Sequence, residues 1–217
     1  MPKIAFSIFV FVSFLYAYEG VLTRKHAFAA GIDFALTKGD LDGVSRIYSS
    51  EGSPEKEIVI LPEVPFFVVY AFDARALLNA SSIAMSFGLG YPSYEHQKQS
   101  GEARYWRAGL EYQYHLFWPE LFRVGIGLGY GFSSMRFPKG SFGENSEPSY
   151  ANFHGNGPNA VLSANCYFSE NLAVEAAIRY RLLYFNEVST DLNDVSRISP
   201  AIWQSMGELG LRAMFVF

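Results

Sequence analysis

The chain has 217 residues, a net charge of -4 and a lone cysteine, Cys166. Its length suits a single domain, and an acidic balance without a basic cluster excludes a nucleic-acid-binding protein. A single cysteine excludes an internal disulfide, and Cys166 has no Cys or His neighbour at metal-ligand spacing.

The amino terminus has the pattern of an export signal. Lys3 gives a positive start, residues 4–16 are almost wholly apolar, and Ala17 offers a small residue for cleavage. This predicts a signal peptide over residues 1–17 and one mature domain over 18–217. The alternative is an uncleaved anchor helix, but the apolar run is shorter than the ~20 residues that span a bilayer.

The rest of the chain alternates large apolar residues with small or polar ones, which is the period of a β-strand. The pattern predicts about eight strands, an even number that suits a closed antiparallel up-and-down barrel. They cover residues 28–36, 65–72, 82–91, 106–116, 121–132, 162–168 and 172–184, with a last strand from about Trp203 to Phe217.

Connections of two lengths are predicted between these strands. Short turns fall at 73–79, 118–120 and 169–171, and long polar loops at 37–63, 92–103, 133–157 and 186–200. Within the first loop, residues 58–61 are predicted to extend a strand, made irregular by Pro62 and Pro65. Short turns on the periplasmic side and long loops outside are typical of transmembrane barrels.

The two faces of the strands indicate that the barrel lies in a membrane. The polar faces carry Gly, Ala, Ser and scattered charges, which suit the narrow interior of an eight-stranded barrel. Aromatic residues on the apolar faces concentrate near the strand ends, as in the two interfacial girdles of membrane barrels. They are Trp106, Phe132, Tyr184 and Trp203 near the loops, and Trp118, Phe122, Phe168, Phe215 and Phe217 near the turns.

Charged residues of both signs are predicted to face the interior. They are Asp33, Glu111, Glu175 and Glu208, with Arg107, Arg123, Arg179, Arg181 and Arg212. Because an unpaired charge is costly in a narrow lumen, these groups should pair and plug the barrel. The predicted pairs join Arg179 or Arg181 to Glu208 and Asp33, Glu175 to Arg212, and Glu111 to Arg123. A selective lining for a small solute is the alternative.

The sequence assembles no catalytic residues, metal site or cofactor site. The four histidines lie on separate segments, and only His115 is predicted to face inward, near Gln113, as a hydrogen-bonded residue rather than a general base. A lipid-modifying enzyme would need Ser or His paired with a carboxylate near the outer interface, and no such pair can be assembled from the sequence.

The third loop is the most plausible contact surface for an extracellular ligand, because loops on a rigid scaffold can vary with function. Its candidate contact residues are Phe137, Phe142, Tyr150 and Phe153. The alternative is that this loop is solvent-exposed chain with no binding role.

The carboxyl-terminal strand ends in Leu209, Leu211, Ala213, Phe215 and Phe217. With this ending, the mature chain resembles the small eight-stranded outer-membrane proteins of bacteria, the relatives of OmpA, OmpX and OmpW. The resemblance implies an outer-membrane location, contact with outer-membrane lipid, and recognition of Phe215 and Phe217 by the barrel-assembly machinery. In the alternative, Phe217 merely finishes a strand.

The balanced interior charges and the long loops predict a structural or surface-interaction (adhesion-like) role with a largely plugged lumen. A narrow pore or conduit for small or hydrophobic solutes is the alternative.

Overall fold

The computed structural model describes residues 25–39, 45–48, 54–58, 64, 66–78, 80–96, 99–117, 122–138, 150–190 and 196–217. The signal peptide predicted over 1–17 lies outside these ranges. The strands are β1 (Lys25–Gly39), β2 (Ser45–Tyr48), β3 (Pro54–Ile58), β4 (Phe66–Leu77), β5 (Ser81–Gly90), β6 (Ser93–His96), β7 (Gln99–Glu102), β8 (Arg104–Phe117), β9 (Phe122–Pro138), β10 (Tyr150–Ser169), β11 (Leu172–Thr190) and β12 (Ser196–Val216). Over the described ranges, no helix is long and apolar enough to cross a membrane.

Eight of these strands form a closed antiparallel barrel in the order β1, β4, β5, β8, β9, β10, β11 and β12. The first and last strands close the sheet, since β1 pairs with β12 from Ala27 opposite Val216 to Gly39 opposite Gln204. Two backbone hydrogen bonds of 2.8 Å between His26 and Phe217 complete this seam. The predicted eight-stranded up-and-down barrel is confirmed.

One predicted turn proved wrong. The segment 73–79 is mostly strand, because β4 continues to Leu77, and a backbone hydrogen bond from Leu78 N to Ser81 O follows directly. Asp73 and Arg75 point inward, so their charges continue the alternation. The predicted turn near Glu170 is present, and the one at 118–120 lies outside the described residues.

The second half of the barrel is taller than a bilayer requires. Strands β9, β10, β11 and β12 have 17, 20, 19 and 21 residues, whereas about 9–11 tilted residues cross a membrane. The loops predicted over 133–157 and 186–200 are therefore too long, and β12 starts at Ser196 rather than Trp203. These four strands continue beyond the lipid on the loop side as a wall.

Two hairpins occupy the other predicted loops. β2 and β3 pair with each other, and β2 adds to the outer end of β12, with Tyr48 opposite Arg197. β6 and β7 form a separate two-stranded sheet. The strand extension predicted over 58–61 has only Ile58 in a described strand, at the end of β3.

Large apolar side chains cover the outside of the barrel. The exposed ones are Phe28, Phe34, Leu36, Phe66, Tyr70, Phe72, Met85, Phe87, Leu89, Tyr91, Trp106, Leu110, Tyr114, Leu116, Phe122, Ile126, Leu128, Tyr130, Phe132, Leu162, Phe168, Leu172, Ile178, Tyr180, Leu209, Leu211, Phe215 and Phe217. On the loop side, the rings of Tyr184 and Trp203 meet edge to face at 4.7 Å. Such a continuous apolar surface matches the lipid-facing band of a membrane barrel.

Candidate functional site: the barrel interior

The interior of the barrel is built in three layers along its axis. A turn-side apolar layer consists of Ala27, Ala29, Leu77, Ala173, Met214 and Val216. A loop-side plug consists of Ala35, Val64, Phe67, Val69, Tyr94, Ala103, Tyr105, Met135, Phe137, Ala151, Phe153, Leu183, Phe185, Val188, Ile198, Ile202 and Met206. Charged residues lie between these two apolar layers.

The middle layer holds five arginines and five carboxylates, so its formal charges cancel. They are Arg75, Arg107, Arg179, Arg181 and Arg212, with Asp33, Asp73, Glu111, Glu175 and Glu208, and none is more than 4% exposed. Pairing is essential at this depth, because a buried charge without a partner is strongly destabilising.

The ten side chains form one closed circuit in which positive and negative groups alternate. We call it the charge ring. Its order is Arg75, Glu175, Arg179, Glu111, Arg181, Glu208, Arg107, Asp33, Arg212, Asp73 and back to Arg75. Every member therefore has a partner of opposite charge on each side.

Individual contacts in the charge ring are short and directional. Arg75 donates from Nη1 to Glu175 at 2.5 Å and from Nη2 to Asp73 at 2.6 Å. Arg212 donates from Nη2 to Asp33 at 2.6 Å, and also binds Asp73. Such charge-assisted bonds are about twice as strong as neutral ones.

The opposite half of the charge ring is held the same way. Arg181 donates from Nε to Glu208 at 3.0 Å, and Glu208 also binds Arg107. Arg179 donates from Nε to Glu111 at 3.0 Å. The side-chain amide of Asn159 donates a hydrogen bond of 3.0 Å from Nδ2 to Glu111. This carboxylate therefore has a neutral donor as well as charged ones.

The structure places eight of the nine predicted lumen charges in the charge ring. Of the predicted pairs, Arg181 contacts Glu208 at 3.0 Å and Glu175 lies 3.9 Å from Arg212. Arg179 stands opposite Glu208 in register, but its ion pairs go to Glu111 and Glu175. The predicted pairing of Asp33 with Arg179 or Arg181 was wrong, because Asp33 pairs with Arg107 and Arg212.

The predicted pair of Glu111 and Arg123 was wrong. Glu111 stands opposite Gly129 on β9, and Arg123 lies six residues away, about 20 Å along the strand at ~3.3 Å per residue. Arg123 is partly exposed, with its guanidinium 4.8 Å from the centre of the Tyr167 ring. It belongs to the turn-side end of the barrel.

Sequence reasoning missed Asp73 and Arg75. A charged pair separated by one alanine was interpreted as a turn, although Phe72, Ala74 and Ala76 keep the outward period of β4. That alternation was the available signal. These two residues link Glu175 to Arg212 by short ion pairs, whereas the direct contact between Glu175 and Arg212 is 3.9 Å long.

Glycines leave the room that the arginine side chains occupy. A Cβ on Gly88 would lie 2.9 Å from Nε of Arg107, and one on Gly210 would collide with the Asp33 carboxylate. The inward glycines are thus part of the site, since they let neighbouring strands accommodate long charged side chains.

The loop-side plug corrects two predicted contact residues. Phe137 and Phe153 are fully buried at 0% exposure, with ring centres 5.9 Å apart in an edge-to-face contact. The sequence assigned both to a loop, but they continue the inward series of β9 and β10. Tyr150 lies on the outer side, 4.2 Å from the guanidinium of Arg136, and Phe142 lies outside the described residues.

Uncharged polar side chains line the interior between the charge ring and the turns. Ser163 donates to Gln113 at 2.7 Å, and His115 is buried on the same inward face of β8. In the part of the chain that the structure describes, no cluster of His, Cys, Asp and Glu could hold a metal ion.

The structure also joins a histidine and a serine that the sequence analysis left separate. Nε2 of His154 lies 3.0 Å from Oγ of Ser189 and 3.3 Å from Nδ2 of Asn152, beyond the loop-side girdle. A catalytic relay needs the serine and the orienting residue on opposite ring nitrogens. Here both contact the same nitrogen, which is the geometry of a surface hydrogen-bond cluster.

A double-mutant cycle tests the charge ring. Glu208→Gln and Arg181→Gln should each lower the free energy of unfolding in lipid vesicles, with a coupling energy of about 1–3 kcal/mol because they share an ion pair. Glu208→Gln with Arg75→Gln should couple less, since these residues share no contact. Urea unfolding followed by tryptophan fluorescence gives the energies, and equal coupling in both cycles would contradict the observed order of the ring.

A pair of glycine substitutions on β12 tests the space inside the barrel. Gly210→Ala should destabilise the barrel by about 1–3 kcal/mol, because its methyl group overlaps Asp33. Gly207→Ala is the matched control, since a Cβ there meets nothing within 4 Å, and its effect should stay within about 0.5 kcal/mol. Equal midpoints of urea unfolding for the two variants would refute the close packing around the ring.

Comparison with known proteins supports the fold. No protein-family model and no curated protein matches the sequence. Among solved structures, OprG from Pseudomonas aeruginosa is similar with a TM-score of 0.59 and 11% identity over 91% of this chain and 98% of that chain.

Two further solved structures have lower TM-scores. Neisserial surface protein A has a TM-score of 0.49 and 14% identity over 87% of this chain and 97% of its own. Ail, the attachment invasion locus protein of Yersinia pestis, has a TM-score of 0.48 and 15% identity over 89% and 99%. OprG and the closed sheet itself support the fold. With its apolar outer surface, the chain has the fold of a small transmembrane β-barrel.

Proposed function

We propose that the protein is a structural outer-membrane barrel whose sealed interior makes it a rigid support for interactions at the cell surface. The charge ring is the observation that carries this proposal.

At the depth of the charge ring, side chains of the described residues pack closely, and none of the ten charged ones is more than 4% exposed. An eight-stranded barrel has space for little more than its own side chains, and here ten charged ones bridge the lumen. A passing ion would have to separate buried ion pairs, and breaking such a pair costs about 3–5 kcal/mol. Above the ring, the loop-side plug adds edge-to-face contacts such as Phe67 with Tyr105 at 5.2 Å.

The taller side of the barrel supports the surface role. Strands β9 to β12 rise beyond the lipid, and the hairpin of β2 and β3 widens their sheet at β12. Loops held by such a rigid sheet are suited to partner binding. Tyr150 remains a candidate contact residue at the start of β10, and Phe142 remains a sequence prediction.

A conduit for hydrophobic solutes is the second candidate. The loop-side plug is apolar and includes Met135 and Met206, whose flexible side chains can adapt to a bound molecule. A small apolar solute could displace them, but it would meet the charge ring below. This candidate therefore needs a sideways exit through the barrel wall.

We also propose that Phe215 and Phe217 form the signal read by the barrel-assembly machinery. Both are exposed on the outer face at the turn-side end of β12. Phe215 stands between Phe28 on β1 and Leu172 on β11, at the seam that must close last if assembly follows chain order.

Electrical recording tests the sealed lumen. The refolded protein should give no stepwise current in a planar bilayer, because the ring and the plug block the axis. Arg107→Ala combined with Phe137→Ala removes one blocking group from each layer and should produce conductance. Leu128→Ala, a change on the lipid-facing side, is the control that should stay silent. Stepwise current from the unaltered protein would instead favour the pore.

Labelling in intact cells tests the orientation. In a Cys166→Ser background, Glu187→Cys on the tall side should react with a membrane-impermeant maleimide, because it lies outside. Glu170→Cys at the tight turn should react only after the outer membrane is permeabilised. Both glutamates are exposed in the structure, so the two variants differ in side of the membrane alone, and the reverse reactivity would invert the proposed topology.

A further inference from the structure

Two arginines face each other on the outer surface of the barrel. Arg104 on β8 stands directly opposite Arg136 on β9, and both side chains are exposed. Like charges at opposed positions of neighbouring strands destabilise a sheet. The pair thus carries a cost that an anion between the two guanidinium groups would remove.

Neither arginine has an acidic partner in the described part of the chain, in contrast to the arginines of the charge ring. The carboxylate nearest to Arg104 in the sequence is that of Glu102, which stands opposite Ser93 in the hairpin of β6 and β7. Arg136 packs on the Tyr150 ring at 4.2 Å, a cation–π contact that positions its guanidinium and leaves its hydrogen-bond donors available.

The height of the pair corresponds to that of lipid headgroups. Two residues nearer the membrane, the same face carries Trp106, and Ala108 stands opposite the exposed Phe132 in the next row. At ~3.3 Å per residue the arginines lie about 7 Å beyond Trp106 along the tilted strands. Aromatic side chains of this kind mark the interface between headgroups and hydrocarbon.

We propose that Arg104 and Arg136 bind the phosphate of an outer-leaflet lipid, whose acyl chains lie along Trp106, Phe132 and Tyr130. The planar guanidinium groups offer paired donors that match phosphate oxygens. This site goes beyond the proposed structural role and does not depend on whether the lumen conducts.

The surroundings favour a lipid phosphate over a free phosphate ion. A soluble ion would gain only the two guanidinium groups, whereas a lipid also covers the exposed aromatic surface directly below them. Burial of apolar surface is worth about 25 cal/mol per Å². The phosphate and the chains are therefore recognised together.

Native mass spectrometry of the refolded barrel tests the site with lipid A, a glycolipid that carries phosphate monoesters, and with dephosphorylated lipid A. We expect the barrel to retain one phosphorylated molecule and to bind the dephosphorylated form more weakly. Arg104→Gln and Arg136→Gln should each weaken retention roughly tenfold, the loss of one charge-assisted hydrogen bond.

Arg197→Gln is the matched control for the loss of one exposed positive charge. Arg197 stands opposite Glu187, so it already faces a carboxylate, and its replacement should leave retention unchanged. Equal loss in all three variants would show general charge attraction and overturn the proposal. Equal binding of both lipid forms, or displacement of lipid A by inorganic phosphate, would overturn it as well.

Stability gives a second readout that needs no mass measurement. In micelles of dodecyl maltoside, a detergent without phosphate, Arg104→Gln should raise the urea midpoint, because it removes the like-charge contact. When lipid A is added, the same substitution should lower the midpoint relative to the unaltered protein, because the ligand is lost. A change of the same sign with and without lipid A would contradict a phosphate site.

Discussion

The charge ring is the constraint on which the rest of the barrel depends. Five strands supply its ten members, namely β1, β4, β8, β11 and β12. The strands β5 and β9 face it with small residues such as Gly88 and Gly129, where a Cβ would meet Arg107 or Glu111. The long charged side chains therefore fit in the lumen only because glycines face them from the neighbouring strands.

The charge ring also fixes the register of the sheet. A slip of one residue along any of its five strands would turn its charges towards the lipid, at about 2–4 kcal/mol for an arginine at the bilayer midplane. Each charge that turned outward would also deprive its neighbours in the ring of one ion pair. Buried ion pairs add little stability compared with an apolar core, so we infer that the ring selects one alignment among several apolar ones.

Local alternation was enough to predict the eight strands, their faces and most inward charges, because side-chain direction in a strand depends only on parity. Alternation failed to predict the strand at Asp73 and Arg75, where charged residues interrupt an apolar run. It also failed at Phe137 and Phe153, where the strands continue beyond their lipid-facing residues. The pattern of alternation could not predict the ion-pair partners of Glu111. Pairing across the lumen depends on the stagger between strands, which no single segment encodes.

The arginines inside the barrel and those on its outer surface differ in their charged neighbours. Each arginine of the charge ring lies between two carboxylates, so the formal charges of the ring cancel. Arg104 and Arg136 instead face each other above the aromatic girdle, without an acidic partner among the described residues. Opposite charges are thus paired inside the barrel, whereas two like charges face each other on its outer surface. The charge ring supports the fold, and the proposed lipid site lies on the outer surface.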